Sequence, residues 1–226
     1  MELLPIHLSV KRKAHRKDSP NAPASDAAYR AARPQALKRD DYCCRFCGFK
    51  DKKNETHHVN DDHNDQRLEN LVTSCVLCHM CHHIAFAGIQ GRASLIYLAP
   101  NADGTPVISQ AGLNNLVRNL WIAEETATGD IRNTAGQLLA RLEKCDTPAV
   151  HILGTSFPEV IGDVMTSLSD AAYSKRGDAL NGVFLLPKKK AYLSYIKELV
   201  ESSKKFPPTE WVRLAEDKIA QWPEAS

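Results

Sequence analysis

The chain is predicted to fold as α+β, with a small cysteine-rich unit in its first half and a run of helices behind it. Six of the seven cysteines and six of the nine histidines fall between Cys43 and His83, which concentrates the soft ligands in about one-fifth of 226 residues. Two short runs, Leu3 to Val10 and Ser94-Leu95-Ile96-Tyr97-Leu98, have the composition and period of strands. From Ser109 onward the apolar residues recur at helical spacing, as in Leu113, Leu116, Val117, Leu120 and Trp121.

Taken in order, residues 1–10 alternate like a strand, and the basic run Lys11 to Lys17 follows. Asp18 to Ala28, with two prolines, reads as a flexible loop. Arg30 to Asp41 reads as a short helix that feeds the first cysteine pair. Residues 48–59 are expected to form a hairpin ending in the strand Glu55 to Val59, and the polar stretch Asn60 to Arg67 a loop. A helix should start near Cys75 or Val76 and run to about Ala87, with Gly88 and Gly91 breaking it.

Further on, Ser109 suits an N-cap, and Asp130 a second one before Leu138, Leu139 and Leu142. Ser156-x-x-Glu159 has the spacing of a capping box. Pro187 is placed for a helix start before Tyr192, Tyr195, Ile196, Leu199 and Val200, and Pro208-Thr209 for a last helix with Trp211, Leu214, Ile219 and Trp222. The resulting divisions are residues 1–34 (strand and basic flexible segment), 35–106 (cysteine-rich unit) and 107–226 (helical region).

Residues 1–50 carry eleven Lys/Arg against five Asp/Glu, whereas the remainder is net acidic, so a nucleic-acid or acidic-partner surface is expected, if anywhere, beside the cysteine cluster. The N-terminal apolar residues precede the charges, the reverse of a secretory signal, and no run approaches the ~20 apolar residues that span a bilayer. A cytoplasmic protein is therefore expected, its thiols reduced and available to a metal.

Cys44-x-x-Cys47 and Cys75-x-x-Cys78, separated by 27 residues, have the spacing of a four-thiolate zinc site. Each pair presents two sulfurs from one tight turn, and Gly48 directly after Cys47 suits that turn. A structural zinc would contribute about 10 kcal/mol to folding a region with little core of its own. Cys81, three residues past Cys78, is an alternative ligand, and the isolated Cys145 reads as a buried helical residue.

His57-His58 at a strand end, Asn70 in the loop, and His79, His82 and His83 on a helix stand in an order that resembles the HNH, or ββα-metal, nuclease motif over roughly Arg39 to Ala87. The resemblance implies an HNH-like fold. Were it catalytic, His58 would be the general base, Asn70 the brace of the loop, and His57 with His82 or His83 the ligands of a second, divalent ion.

A longer pattern is similar to the IcmJ family, also called DotN, of type IVB (Dot/Icm) secretion systems and related conjugation systems. It is carried by Cys44-Arg45-Phe46-Cys47-Gly48-Phe49, by Asn70-Leu71-Val72-Thr73-Ser74-Cys75-Val76-Leu77-Cys78-His79-Met80-Cys81, by Gly91 to Leu98 and by Gln110 to Leu116. This resemblance implies a cytoplasmic adaptor with a structural zinc, peripheral to the inner membrane through the secretion complex. Its implied partners are the C-terminal segment of the coupling ATPase and other coupling-complex subunits. A metal-dependent HNH endonuclease, or a zinc protein that binds DNA without cutting it, is the alternative.

Overall fold

The computed structural model of the chain describes residues 2–13 and 22–204. The first helix, α1 (Ala22–Arg39), starts inside the stretch expected to be a loop. Pro23 falls in its first turn, where a missing N–H costs nothing, and Ala24, Ala27, Ala28, Ala31 and Ala32 favour helix. The helix ends on two left-handed residues, Asp41 (φ 50°) and Tyr42 (φ 57°), and the Tyr42 N–H donates back to the Leu37 carbonyl at 2.8 Å. That reversal delivers the chain to the first cysteine pair.

Asp40 locks the junction. Its buried carboxylate accepts from the Thr73 N–H at 2.9 Å and pairs with Arg39 at 2.9 Å and Arg45 at 3.4 Å. Burial raises its pKa, but the bonds from Arg39 and Thr73 outweigh this and leave the carboxyl below its ordinary range.

The expected hairpin over residues 48–59 reduces to one bridge, Cys43 to Lys50. β1 (Glu55–His58) pairs instead with β2 (Leu71–Ser74), antiparallel, Glu55 opposite Ser74 and His58 opposite Leu71. All four residues of β2 are buried, so it lacks the alternation that marks a half-exposed strand.

The single helix expected from Cys75 to Ala87 is two, α2 (Val76–Met80) and α3 (Ile84–Ile89). The N-terminal segment fills the break: Ser9 N–H donates to Cys81 O at 2.9 Å, and Ile84 N–H donates to Ser9 O at 3.0 Å. Residues 2–13 are thus an extended strap without a sheet partner, not the expected strand. Leu8 and Val10 bury their side chains beneath it.

β3 (Ala93–Tyr97) forms as expected, and its partner is β4 (Val183–Pro187), antiparallel, Ala93 opposite Pro187 and Tyr97 opposite Val183. Pro187 closes this strand rather than opening a helix. The pair is buried on both faces. Ile96, Phe184 and Leu186 meet the cysteine knuckles with Leu113, Val117 and Trp121, while Leu95, Val183 and Leu185 meet Met80, Ile84 and Met165. The sheet therefore joins the cysteine-rich unit to the helical region.

The remaining helices are α4 (Gln110–Thr126), α5 (Gly129–Glu143), α6 (Asp146–Leu153), α7 (Pro158–Ser167), α8 (Asp170–Ser174), α9 (Arg176–Ala179) and α10 (Leu193–Ser203). Ser109 caps α4 as expected, its hydroxyl accepting from Gly112 N at 3.0 Å. Thr128, not Asp130, precedes α5. α7 has Phe157 at its cap and Pro158 in its first turn in place of the expected capping box. Cys145 is half-buried at the α5–α6 junction. The expected helix over 208–222, and most of the basic run, lie outside the described residues.

α3 and α7 cross through small residues: a Cβ added to Gly162 would stand 2.5 Å from Ala85 Cβ and 2.9 Å from its Cα. Gly162→Val is therefore expected to force the helices apart and cost about 2–3 kcal/mol, read as a lowered urea midpoint. An unchanged midpoint would refute this close crossing.

Candidate metal centre

The turn after Cys44 closes by the Gly48 N–H donating to the Cys44 carbonyl at 2.9 Å, with Gly48 at φ 77°. Cys75 follows β2 and is the N-cap of α2, and the His79 N–H donates to the Cys75 carbonyl at 2.8 Å. The two turns face each other. The sulfurs of Cys44, Cys47, Cys75 and Cys78 lie within 4.8 Å of one another and all four residues are buried. Cys47 Sγ and Cys75 Sγ approach to 3.7 Å, and all seven cysteines of the chain are free.

The electrostatics of this quartet call for a cation. Thiols of Cys47, Cys75 and Cys78 donate to Cys44, holding its pKa far below the thiol range. Cys75 and Cys78 are driven up, first by their bonds to Cys44. Cys47 settles at about 7, pushed up by Cys44 and pulled down by Cys75 and Cys78. Four buried sulfurs with no carboxylate among them fit zinc, which takes four thiolates.

Cys81 stands outside the quartet. Its thiol donates to the Leu77 carbonyl at 3.3 Å, and burial pushes its pKa up to about 12, so it is a neutral core residue.

Helix α4 borders the centre with a line of buried polar residues. The Gln110 amide pairs with both backbone groups of Leu185, at 2.9 and 3.0 Å. Asn114 donates to Cys78 Sγ at 3.4 Å, and Arg118 Nη2 donates to Cys75 Sγ at 3.2 Å. Asn115 adds a bond to the Cys47 carbonyl at 3.0 Å. The sequence assigns these residues no role at the centre, although Gln110, Asn114 and Arg118 recur at i, i+4, i+8 beside the apolar stripe, which marks a polar line turned inward.

A second group lies on the outer side of α2. Ligand atoms of His57, His79 and His83 come within 4.8 Å of one another. His79 Nδ1 meets Glu55 Oε2 at 2.5 Å, which turns its Nε2 to within 3.2 Å of His83 Nε2. His57 is 7% exposed and its Nδ1 has no hydrogen-bond partner, and burial first, then the neighbouring imidazoles, hold its pKa far below the usual histidine range. His82 stacks on the His57 ring, 4.1 Å between centroids, and burial lowers its pKa to about 3. The three-nitrogen group thus contains His57 and His83, both named as ligands from the sequence, together with His79, a motif histidine given no ligand role there, with Glu55 behind it. The missed signal was the i, i+4 spacing of His79 and His83.

His58 points elsewhere. It is 3% exposed, its Nε2 is 3.0 Å from Gln66 Oε1, and its ring stacks on His63 at 4.6 Å. Asn70 ties the intervening loop, Oδ1 accepting from Asn60 N at 3.0 Å and Nδ2 donating to Asp65 O at 2.9 Å.

No family model matches the chain. One curated protein does: the type 4 apparatus protein DotN of Legionella pneumophila subsp. pneumophila (strain Philadelphia 1) is 28% identical over 184 residues, spanning 79% of this chain and 82% of DotN. The chain is therefore similar to this secretion-apparatus protein along about four-fifths of its length. Among its described residues no helix is long and apolar enough to cross a membrane.

The two readings of the second cysteine pair, Cys75 with Cys78 or Cys78 with Cys81, differ in one comparison. Cys75→Ser is expected to abolish retention of zinc after dialysis, and Cys81→Ser to leave about one zinc per chain, by elemental analysis. The opposite pattern would move the ligand set to Cys78 and Cys81.

Proposed function

We propose that this protein is a structural adaptor of a type IVB secretion coupling complex, binding the coupling ATPase and helping to deliver effectors. The reading rests on the match to DotN along about four-fifths of each chain. In it, zinc on Cys44, Cys47, Cys75 and Cys78 is structural, and β1, β2 and α2 form an HNH-like ββα unit that serves as a scaffold. The setting of His58 supports a scaffold over an enzyme. A general base must reach a water or a substrate proton. Here the imidazole is buried and its Nε2 is engaged by Gln66, which also donates to the Ser25 hydroxyl at 3.1 Å.

The test is direct binding. Purified, zinc-loaded protein is expected to co-elute with the C-terminal segment of the coupling ATPase from the same system as a stable complex, with Kd in the micromolar range or tighter, about −8 kcal/mol. Absence of a complex at concentrations of tens of micromolar would remove the adaptor reading.

The second reading, a metal-dependent HNH endonuclease, is favoured by one observation: three imidazoles converge beside a carboxylate, an arrangement suited to a divalent ion. It requires plasmid or single-strand cleavage with Mg²⁺, Mn²⁺ or Ni²⁺ that disappears in His58→Ala. The scaffold reading expects no cleavage by either protein. DNA affinity that falls steeply with salt and survives His58→Ala would instead mark a non-catalytic DNA binder.

A further inference from the structure

Arg118 is 4% exposed and stands in the middle of α4. Arginine does not give up its proton in proteins, so a full positive charge is buried here and needs a negative partner. Among the described residues no carboxylate pairs with it. Its Nε donates to the Tyr195 hydroxyl at 2.9 Å, its Nη1 to Asn115 Oδ1 at 2.6 Å, and the Phe49 ring lies 4.0 Å beneath the guanidinium carbon. These are neutral groups. The remaining donor, Nη2, faces Cys75 Sγ at 3.2 Å and Cys47 Sγ at 3.9 Å, one sulfur from each knuckle.

We infer that Arg118 is the counter-ion of the four-sulfur centre, and that through it the centre holds α4 and α10 onto the cysteine-rich unit. The inference rests on the zinc reading above. Four thiolates around one divalent ion keep an excess of negative charge, and burial makes that excess costly unless a cation lies against the sulfurs. Arg118 supplies it from α4. Tyr195 of α10 and Asn115 of α4 hold the guanidinium plane in place. The chain of contacts from the sulfurs through Arg118 to Tyr195 ties docking of the helical layer to the centre. Asn114 acts beside it as a neutral donor to Cys78.

The test uses the full-length, zinc-loaded chain and two variants, Arg118→Met, which keeps the bulk, and Arg118→Lys, which keeps the charge. Release of zinc to a chromophoric chelator is expected to be about tenfold or more faster in Arg118→Met, with Arg118→Lys recovering most of the wild-type retention. Equal loss in both variants would make Arg118 a packing residue, and no loss in Arg118→Met would dismiss the counter-ion; either overturns the inference. If Arg118→Met does not fold, hydrogen exchange on the wild type decides. Stripping zinc should deprotect residues 110–126 and 193–203 together with the knuckles, whereas protection that persists in those helices overturns the inference. A wild type that retains no zinc refutes the metal reading itself, and this inference with it.

Discussion

Four buried sulfurs gathered at one point organise this fold. The knuckles around Cys44 to Gly48 and Cys75 to Cys78 face each other across those sulfurs, beside the bond from Arg45 N–H to Thr73 O at 2.8 Å, and the elements around them are short: β1 and β2 are four residues each, and α2 is five. Strands and helices of that length do not stand alone in water. A metal bound there would change the balance by energy on the order of 10 kcal/mol. The gathered sulfurs need polar partners inside the protein, and the polar line on α4 turns Asn114 and Arg118 onto them while Gln110 holds β4.

The same line explains how parts with small cores are bound into one structure. Gln110 reads the backbone of Leu185 in β4, Asn114 and Arg118 read the sulfurs, and Arg118 continues to Tyr195 on α10. On the opposite side of the β3–β4 sheet, the strap closes the second apolar cluster, with Leu8 and Val10 inside and Ser9 joining α2 to α3. The two helices need this bond. The break between them leaves the Cys81 carbonyl and the Ile84 N–H unpaired within the helices, and buried backbone groups without partners are costly.

What was legible in the sequence followed from local rules. The cysteine quartet could be read because each pair is a single turn and Gly48 supplies the positive φ that the first turn adopts. The β3 strand and the Ser109 cap could be read for the same reason. What was hidden depended on contacts distant in sequence. β2 and β4 are buried along their whole length and show no alternation, so neither Leu71 to Ser74 nor Val183 to Pro187 announces itself as a strand, and Pro187 alone reads as a helix start. The strap's strand-like pattern is real, but its hydrogen bonds go to Arg45, Cys81 and Ile84 rather than to a neighbouring strand. Prolines misled at residue 23 because a helix tolerates them in its first turn.

The histidines divide into two environments. His57, His79 and His83 turn ring nitrogens toward a common point with Glu55 behind them, which preserves a ligand-like arrangement. His58, the adjacent residue on β1, faces the other side of the strand, and Gln66, His63 and Tyr29 enclose it. Alternation along the strand makes this separation unavoidable: one histidine can serve the group near α2 only if its neighbour serves the loop. A hydrolytic site needs the loop-side histidine to be open to a water, whereas here that side is tied down by Asn70 and Gln66. The loop is thereby built as part of the framework that holds β1 and β2 in register.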